Sequence, residues 1–445
     1  MIRLKKLSTL VLLLGSTSLM AQQFGLKEAV DYAVTHHVQV KNAQIDVLNA
    51  EAKINEIKAI GLPQVNGNFA LTNNVLMQRM FIPAKIFNPS AAEGELIAAK
   101  FGVENSGFSS IGLSQLIFDG SYLLGLKASA VYKELSQKSL IQSKQSIAEN
   151  VTKAYYGILV NEKRMGLLDV NISRLDSMLK DTRALQKAGF AEKIDVQRLE
   201  VQANNLKTEH ENLIRLQELG YTLLKFQMSY PIEEPIQLKD KLETVQLQSI
   251  ENNLAPFEYA NRIEYSILKT QENLAELDVK NVKSGYLPRV VFSGSYGANT
   301  GANAFGDLFR KQWFDNAAIT FGIQIPIFDG FSKKYKAIQS ENTLKKVRQS
   351  FDLLKSSIDL QRNQSSISLR NALESLREQQ ANLDLANEIS RVSRVKYKQG
   401  VGSSLEVLNA EASIKESQVN YFTALYNALI AKVELEKANG TLYNE

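Results

Sequence analysis

Two kinds of hydrophobic periodicity alternate along the chain, and the first is helical. Near the C-terminus, apolar residues recur in steps of three and four, interrupted by Lys415: Leu405, Leu408, Ala412, Val419, Phe422, Tyr426, Leu429 and Val433. This heptad spacing is typical of packed helical hairpins, and it recurs over residues 344–358. No proline occurs in 90–230 or in 327–445. Because proline costs about 3 kcal/mol inside a helix, both stretches can form very long helices.

The second periodicity has a period of two and predicts four strands, over about 63–75, 108–119, 288–299 and 317–328. In the last of them, AAITFGIQIPIFD, isoleucine and phenylalanine alternate with small or polar residues. The second strand, SSIGLSQLIFD, alternates in the same way, with Gln115 as a polar exception on its apolar face. Such strands fit a sheet packed on a soluble core, or a transmembrane barrel wall that is apolar toward lipid and polar toward a lumen.

The chain contains a tandem duplication, because three matching segments recur in the same order. GLSQLIFDG (112–120) matches GIQIPIFDG (322–330), KAGFAEKIDVQRLE (187–200) matches KQGVGSSLEVLNAE (398–411), and LPQV (62–65) matches LPRV (287–290). Each repeat is expected to contain a helix, two strands and a long helical hairpin. The predicted divisions are a first repeat over 22–230 (helix about 26–60, hairpin about 121–229), a linker over 231–256, and a second repeat over 257–445 (helix about 258–285, hairpin about 331–438).

The repeated tetrapeptide IFDG is predicted to join a strand to a long helix in each half. We expect its phenylalanine to mark a membrane interface, its aspartate to cap the helix N-terminus, and its glycine to permit a sharp change of direction. These residues are Phe118, Asp119 and Gly120, and then Phe328, Asp329 and Gly330. Trp313 and Phe314, at the other end of the fourth strand, are expected to mark the second interface.

Composition narrows the class of protein. Residues 1–21 have the basic start, apolar middle and small residues of a secretory signal, with cleavage predicted after Ala21. Without that segment the formal charge falls from +5 to +2, which gives no support for nucleic-acid binding. There is no cysteine, and beyond the signal no apolar run is long enough for a spanning helix. His36 and His37 are adjacent on a predicted helix and so do not share a face, and no catalytic motif is found; neither a metal site, a cofactor nor enzymatic activity is expected.

A membrane interpretation has a physical consequence. Four strands cannot close a barrel, and lipid does not tolerate an open sheet edge, so other subunits must complete the wall. The alternative of a different class is a secreted coiled-coil structural or adhesion protein, or a periplasmic adaptor. An adaptor should contain one helical hairpin rather than two, and a stalk has no need of alternating strands.

Two strands followed by a long helical hairpin, repeated with these junctions and turns, resemble the TolC-type outer-membrane efflux proteins over roughly residues 25–440. The resemblance implies a mainly α fold with a β-barrel part. A homotrimer would form a twelve-stranded barrel in the outer membrane, continued by a periplasmic α-helical barrel. It further implies the channel-tunnel of a tripartite efflux or type I secretion system. Such a channel docks a periplasmic adaptor and an inner-membrane pump, and it passes drugs, other small molecules, metal ions or proteins outward.

The resemblance also directs attention to the two hairpin turns. Gly189 and Gly400 match the family's turn glycines, Asp195 its aperture aspartate, and Tyr397 a tyrosine of the network that holds the tip shut. Gly402 stands where that network has an arginine, which puts the family's salt-bridge lock in doubt. Two roles remain open for Asp195: a ring of charge that selects cations, or a capping residue at a helix N-terminus.

The insertion over 74–107, between the first two predicted strands, is expected to form an extracellular loop or lid.

Overall fold

The computed structural model describes residues 22–242 and 257–443, so the predicted signal peptide and residues 243–256 of the predicted linker lie outside the described residues. The chain divides into two compact units. The first, here called the helical unit, comprises Met1–Gln44, Ser139–Tyr265 and Leu354–Glu445. The second, here called the sheet unit, comprises Ile45–Lys138 and Ser266–Leu353. Each unit therefore takes residues from both sequence repeats.

The described residues form long helices in both halves of the chain. They are α1 (Leu26–His36), α2 (Val38–Ile60), α3 (Gly120–Lys187), α4 (Lys193–Met228), α5 (Ile263–Ser284), α6 (Ser332–Lys398) and α7 (Ser404–Asn439). The long helices α3 and α6 have 68 and 67 residues, and their hairpin partners α4 and α7 have 36 each. No helix in the described ranges combines the length and the apolar character needed to cross a membrane.

The first predicted helix, over about 26–60, is in fact two helices. His37 separates them with an extended backbone, at φ −63° and ψ 133°. Its Nδ1 accepts a hydrogen bond of 3.1 Å from the backbone N–H of Gln39, so that His37 caps α2. Burial lowers the pKa of His37, which favours the neutral ring that can accept this bond. The neighbouring His36 instead stacks on Tyr32, with ring centroids 4.0 Å apart.

The strands of the described residues form three separate sheets. They are β1 (Gln22–Phe24), β2 (Gln64–Asn73), β3 (Arg79–Pro83), β4 (Leu96–Lys100), β5 (Asn105–Phe118), β6 (Ile236–Leu238), β7 (Arg289–Ala302) and β8 (Phe314–Gln324). The main sheet is an antiparallel meander in the order β2-β5-β7-β8. The predicted insertion contains the small β3-β4 hairpin, and β1 pairs with β6 in parallel.

The fourth predicted strand ends earlier than expected. β8 stops at Gln324, which pairs with Arg289, whereas its repeat partner β5 continues to Phe118. Pro326 explains the difference, because proline has no N–H to donate to a ladder. The second IFDG, residues 327–330, therefore follows the strand instead of ending it.

The largest apolar cluster of the helical unit surrounds Tyr155, whose side chain is fully buried. The Tyr155 hydroxyl lies 2.8 Å from Oδ2 of Asp240 and 3.0 Å from the carbonyl oxygen of Phe24. The same Asp240 oxygen accepts a 2.8 Å bond from the backbone N–H of Leu26. Burial and the Asp240 carboxylate raise the pKa of Tyr155, so its hydroxyl keeps its proton and acts as a donor. This network fastens the β1-α1 segment to α3.

Replacing Tyr155 with Phe is expected to lower the free energy of unfolding by about 1–2 kcal/mol, because the buried acceptors on Asp240 and Phe24 lose their donor. Urea denaturation followed by circular dichroism measures this loss. The matched control is Tyr259→Phe, which removes a hydroxyl 2.7 Å from Asp359 at a half-buried position. Equal losses in the free energy of unfolding would show that the buried network contributes no more than the half-buried hydrogen bond of Tyr259.

Candidate functional site

Both hairpin turns are built by the same helix-ending motif. At the first, the N–H of Gly189 donates to Gln186 and the N–H of Phe190 donates to Leu185. At the second, 211 residues later, Gly400 donates to Tyr397 and Val401 to Lys396. This is the Schellman arrangement, which requires a left-handed residue. Gly189 and Gly400 supply it, at φ +83° and +74°.

Gly402 has a different structural role from the turn glycines. Its N–H donates a 3.2 Å bond to the carbonyl of Lys396, and this contact folds the turn back onto the end of α6. A Cβ placed at Gly402 would lie 2.9 Å from Cβ of Lys396 and 3.1 Å from the backbone nitrogen of Tyr397. Arginine, or any residue with a side chain, therefore fits at this position only if the turn moves.

Asp195 links the N-termini of α4 and α7. One carboxylate oxygen accepts a 3.3 Å bond from the backbone N–H of Glu192, the residue that precedes α4. The other accepts a short hydrogen bond from the hydroxyl of Ser404, the first residue of α7, which is buried. Arg198 lies 3.9 Å away on the same helix. The carboxylate is thus both a capping group and a tie between the two hairpins.

Tyr397 makes a separate contact. Its hydroxyl lies 3.3 Å from Oγ1 of Thr182, a fully buried residue of α3. The last turn of α6 is thereby held to α3, while Asp195 holds α4 to α7. Within the described residues of one chain, the tyrosine and the aspartate do not bond to each other.

A buried polar cluster joins α3, α6 and α7. The Glu411 carboxylate accepts a 2.6 Å bond from the hydroxyl of Ser390 and lies 3.7 Å from Arg174 and from Arg394. Asn171, beside Arg174 on α3, donates a 2.6 Å bond to Gln418 of α7. We call these residues the hairpin cluster: Asn171, Arg174, Ser390, Arg394, Glu411 and Gln418.

The electrostatics of the hairpin cluster depend on Glu411. Burial and the neighbouring charge of Arg174 lower the pKa of Arg394, and the Glu411 carboxylate opposes that shift. The buried carboxylate between the two guanidinium groups offsets the repulsion between their positive charges. Glu411 is only 8% exposed, which makes it a structural charge rather than a solvated one.

The two strand-to-helix junctions are capped by aspartate but differ in the use of glycine. Asp119 accepts bonds of 2.8 and 3.1 Å from the N–H groups of Ser121 and Tyr122, and Asp329 accepts one of 3.0 Å from that of Lys333. At the second junction the chain turns through left-handed conformations, with Gly330 at φ +66° and Phe331 at φ +67°.

Gly120, unlike Gly330, does not have a left-handed backbone conformation. It is the first residue of α3, and a Cβ there would lie 3.0 Å from side-chain atoms of Ser284 and Leu287. Its small size thus allows the start of α3 to pack closely against Ser284 and Leu287.

The phenylalanines of the two junctions also differ, because Phe118 ends β5 whereas Phe328, 75% exposed, lies beyond the end of β8.

The main sheet has one polar and one apolar face, because paired residues in neighbouring strands share a face. One row of the polar face runs Asn66, Gly112, Ser295 and Ala318, and the next runs Gln64, Ser114, Ser293 and Thr320. The apolar face includes Val65, Ile111, Ile319 and Phe321, each more than 60% exposed in the single chain.

Gln115, the polar exception on the apolar face, is satisfied locally. Its side-chain amide donates to the carbonyls of Gly61 and Leu116 at 2.7 and 2.9 Å. It therefore presents no unpaired amide donor at that edge of the sheet.

The two aromatic residues expected at the second interface lie on opposite faces. Trp313 lies over Gly107 on the apolar face and stacks on Phe69, with ring centroids 6.2 Å apart. Phe314 pairs with Asn299 and so belongs to the polar face. The position of Trp313 on the apolar face therefore agrees with the expected membrane interface, whereas Phe314 lies on the polar face.

Several residues of these sites escaped sequence reasoning. Thr182, Ser404 and Glu411 are ordinary polar residues at helical positions, and only knowledge of which helices are neighbours reveals their contacts. One sequence signal could have indicated the contact at Glu411. Glu411 and Gln418 lie seven residues apart, so both polar side chains face the same side of α7.

Comparison with known proteins gives a family match and a fold match. Residues 268–441 match the model of the outer membrane efflux protein family. A search of curated proteins finds no match. Among solved structures, CusC, described as forming a transmembrane channel, superposes with a TM-score of 0.74 at 12% identity, covering 94% of this chain and 95% of that one.

Two further solved structures are similar to this chain. The open state of the Neisseria gonorrhoeae MtrE outer membrane channel gives a TM-score of 0.71 at 16% identity, covering 95% of this chain and 93% of that one. The Campylobacter jejuni CmeC outer membrane channel gives 0.71 at 15% identity, covering 94% and 86%. At these identities the matches establish the fold, and they cover nearly the whole chain.

Replacing Glu411 with Gln is expected to destabilise the packing of α6 and α7 locally by about 1–3 kcal/mol, because Arg174 and Arg394 lose the carboxylate between them. The lower part of the range applies because both arginines are partly exposed. Amide hydrogen exchange of α6 and α7 measures the effect. The control is Glu388→Gln, which removes an exposed i,i+3 pair with Arg391. Unchanged exchange in the Glu411 variant would contradict the role of the cluster.

Proposed function

We propose that three copies of this chain, a member of the TolC-type outer membrane efflux proteins, form an outer-membrane efflux channel. Each copy supplies four strands to one twelve-stranded barrel. The paired helical hairpins of the three copies line a periplasmic tunnel that continues the barrel. The channel passes small molecules, such as drugs and other toxic compounds, to the exterior.

The observation that carries the proposal is the uncovered four-stranded sheet. Its apolar face is exposed in the single chain, and its outer strands β2 and β8 each have one unpaired edge. Because the meander has an even number of strands, β8 runs antiparallel to β2 and can pair with the β2 edge of the next copy. Repetition of this pairing closes an up-and-down barrel with its apolar face toward lipid and its polar face inside.

The hairpin turns are the proposed contact with a periplasmic adaptor, through which an inner-membrane pump is engaged. Phe190 and Val401, which follow the turn glycines, are 82% and 75% exposed. Exposed apolar residues at equivalent positions of both turns provide two related docking points on each copy. This proposal rests on the match to the outer membrane efflux protein family.

A stalk, an adhesin or a periplasmic adaptor explains the same features less well. Long helical hairpins alone would suit each of them. None of them has a use for a four-stranded sheet whose exposed face is apolar and whose opposite face is lined by hydroxyl and amide groups. Extraction separates the classes, since the channel requires detergent and should run as a heat-modifiable trimer, whereas the others are released in buffer.

The proposed closure predicts disulfide cross-links between copies across the β8 and β2 edges. The chain has no native cysteine, so Asn68→Cys can be combined in turn with Cys at Asn316, Ala318 or Thr320, all on the polar face. Oxidation should trap dimers and trimers on denaturing gels for one pairing register. Pairs made with the central strand residue Ser293 serve as the control. The absence of any cross-link between copies across the edges would contradict barrel closure.

Conductance and cation selectivity in planar bilayers distinguish the two roles proposed for Asp195. If Asp195 restrains the aperture by bonding Ser404, Asp195→Ala and Ser404→Ala should both raise single-channel conductance, whereas Asp195→Asn, which still accepts bonds, should not. If its charge selects cations, Asp195→Asn should lower cation selectivity as much as Asp195→Ala. Wild-type behaviour in all three variants would leave Asp195 with a capping role alone.

A further inference from the structure

The polar face of the main sheet carries almost no charge. Along β2, β5, β7 and β8 it presents mainly hydroxyl groups, amides, glycine and alanine, with the aliphatic pair Leu116 and Val291 near its end at Arg289. The one ionisable residue on it is Arg289, the first residue of β7, which lies 3.6 Å from Asp119. A surface of this kind offers hydrogen bonds to many molecules and selects no sign of charge.

Two aromatic side chains interrupt this face at a single level. Phe108 of β5 pairs with Asn299 of β7, and Asn299 pairs in turn with Phe314 of β8. On the other side Phe108 pairs with Ala70 of β2. The row therefore reads Ala70, Phe108, Asn299 and Phe314. One phenyl ring lies on each side of the Asn299 amide. We call Phe108 and Phe314 the aromatic pair.

The packing of the chain does not account for the aromatic pair. Phe108 and Phe314 are 44% and 62% exposed, and neither belongs to an apolar cluster of the described residues. A membrane interface does not account for them either, because aromatic girdles lie on the lipid-facing side of a barrel. These rings share a face with serine, asparagine and threonine instead.

The spacing of the pair suits a flat guest. Neighbouring strands lie about 4.8 Å apart, so the two Cα atoms are separated by about 10 Å with Asn299 between them. Side chains that lean toward each other across such a gap can contact both faces of one aromatic ring. The amide of Asn299 adds two N–H donors and one acceptor oxygen at the base of the gap.

We propose that the aromatic pair is a contact site for the aromatic part of a small-molecule cargo inside the channel. This inference rests on the proposed function, which places the polar face toward the lumen. Ring stacking retains neutral aromatic molecules, and cation–π attraction retains aromatic cations as well. Three copies would place six such rings at one level, so that cargo crosses an aromatic belt within a mainly polar wall.

The test compares two singly charged cations in planar bilayers: tetraphenylphosphonium, which has aromatic rings, and tetraethylammonium, which has none. In the wild-type channel, tetraphenylphosphonium should block the current for longer than tetraethylammonium does. In the double variant Phe108→Ser and Phe314→Ser, its dwell time should fall about tenfold, the factor that corresponds to about 1.4 kcal/mol for two aromatic contacts.

Two further variants keep the result interpretable. Phe108→Tyr with Phe314→Tyr retains both rings and should retain long dwell times, and Ala318→Ser alters the same face without removing a ring. An unchanged dwell time in the double serine variant, with normal conductance, would overturn the proposal. A wild-type protein that forms no channels at all would instead overturn the proposed function, so the two failures are distinguishable.

Discussion

The structure depends above all on a sheet that one chain cannot complete. The outer strands β2 and β8, of 10 and 11 residues, each leave one row of backbone N–H and C=O groups without strand partners. In water such an edge invites uncontrolled association, and in lipid each unpaired group costs several kcal/mol. The exposed apolar face adds a second cost if it is left in water. Closure with further copies in a membrane removes both costs at once, which is why the oligomer follows from the strand count.

The duplicated helical hairpins show how two similar halves acquire different roles. Asp195 and Glu406 occupy the same position, the third residue of α4 and of α7. In the second half, Ser403 caps α7 by accepting a 3.2 Å bond from the N–H of Glu406. Ser404 is then free to donate its hydroxyl to Asp195 of the first half. A serine pair in one repeat and an aspartate in the other thus create a bond between helix ends that were originally equivalent.

Sequence reasoning recovered the features that depend on local pattern. The absence of proline and the heptads located the long helices, and the repeated motifs located both turns and both junctions. It missed features decided by a single residue or by tertiary neighbours. Pro326 shortens β8, and His37 breaks the first helix although it is neither glycine nor proline. The facing of Phe314 required the strand register, because a one-residue error in the strand start reverses every side chain.

The hairpin cluster was beyond prediction for a different reason. Its members come from α3, α6 and α7, between 3 and 247 residues apart in pairs that bond to each other. A sequence with alternating polar and apolar residues cannot say which polar residues meet until the helices are assembled. Gly402, which stands where the resembled network has an arginine, shows the converse, because its close approach to Lys396 leaves no room for a side chain unless the turn moves.

The chemistry of the helical unit near the turns suggests how it is held together. The first hairpin is packed internally by an apolar cluster that includes Leu175, Leu199 and Leu213. Near the turns, its contacts with the second hairpin include Leu408 packed against this cluster and several polar contacts: Asp195 with Ser404, Lys415 with Glu209 at 2.6 Å, and the hairpin cluster. Apolar packing resists separation because separation exposes surface to water, whereas polar groups can exchange partners for water at small net cost. The hairpins are therefore held together most firmly by the shared apolar cluster around Tyr155, to which α7 contributes Phe422 and Leu429, and the polar contacts near the turns are the ones that exchange with water at least cost.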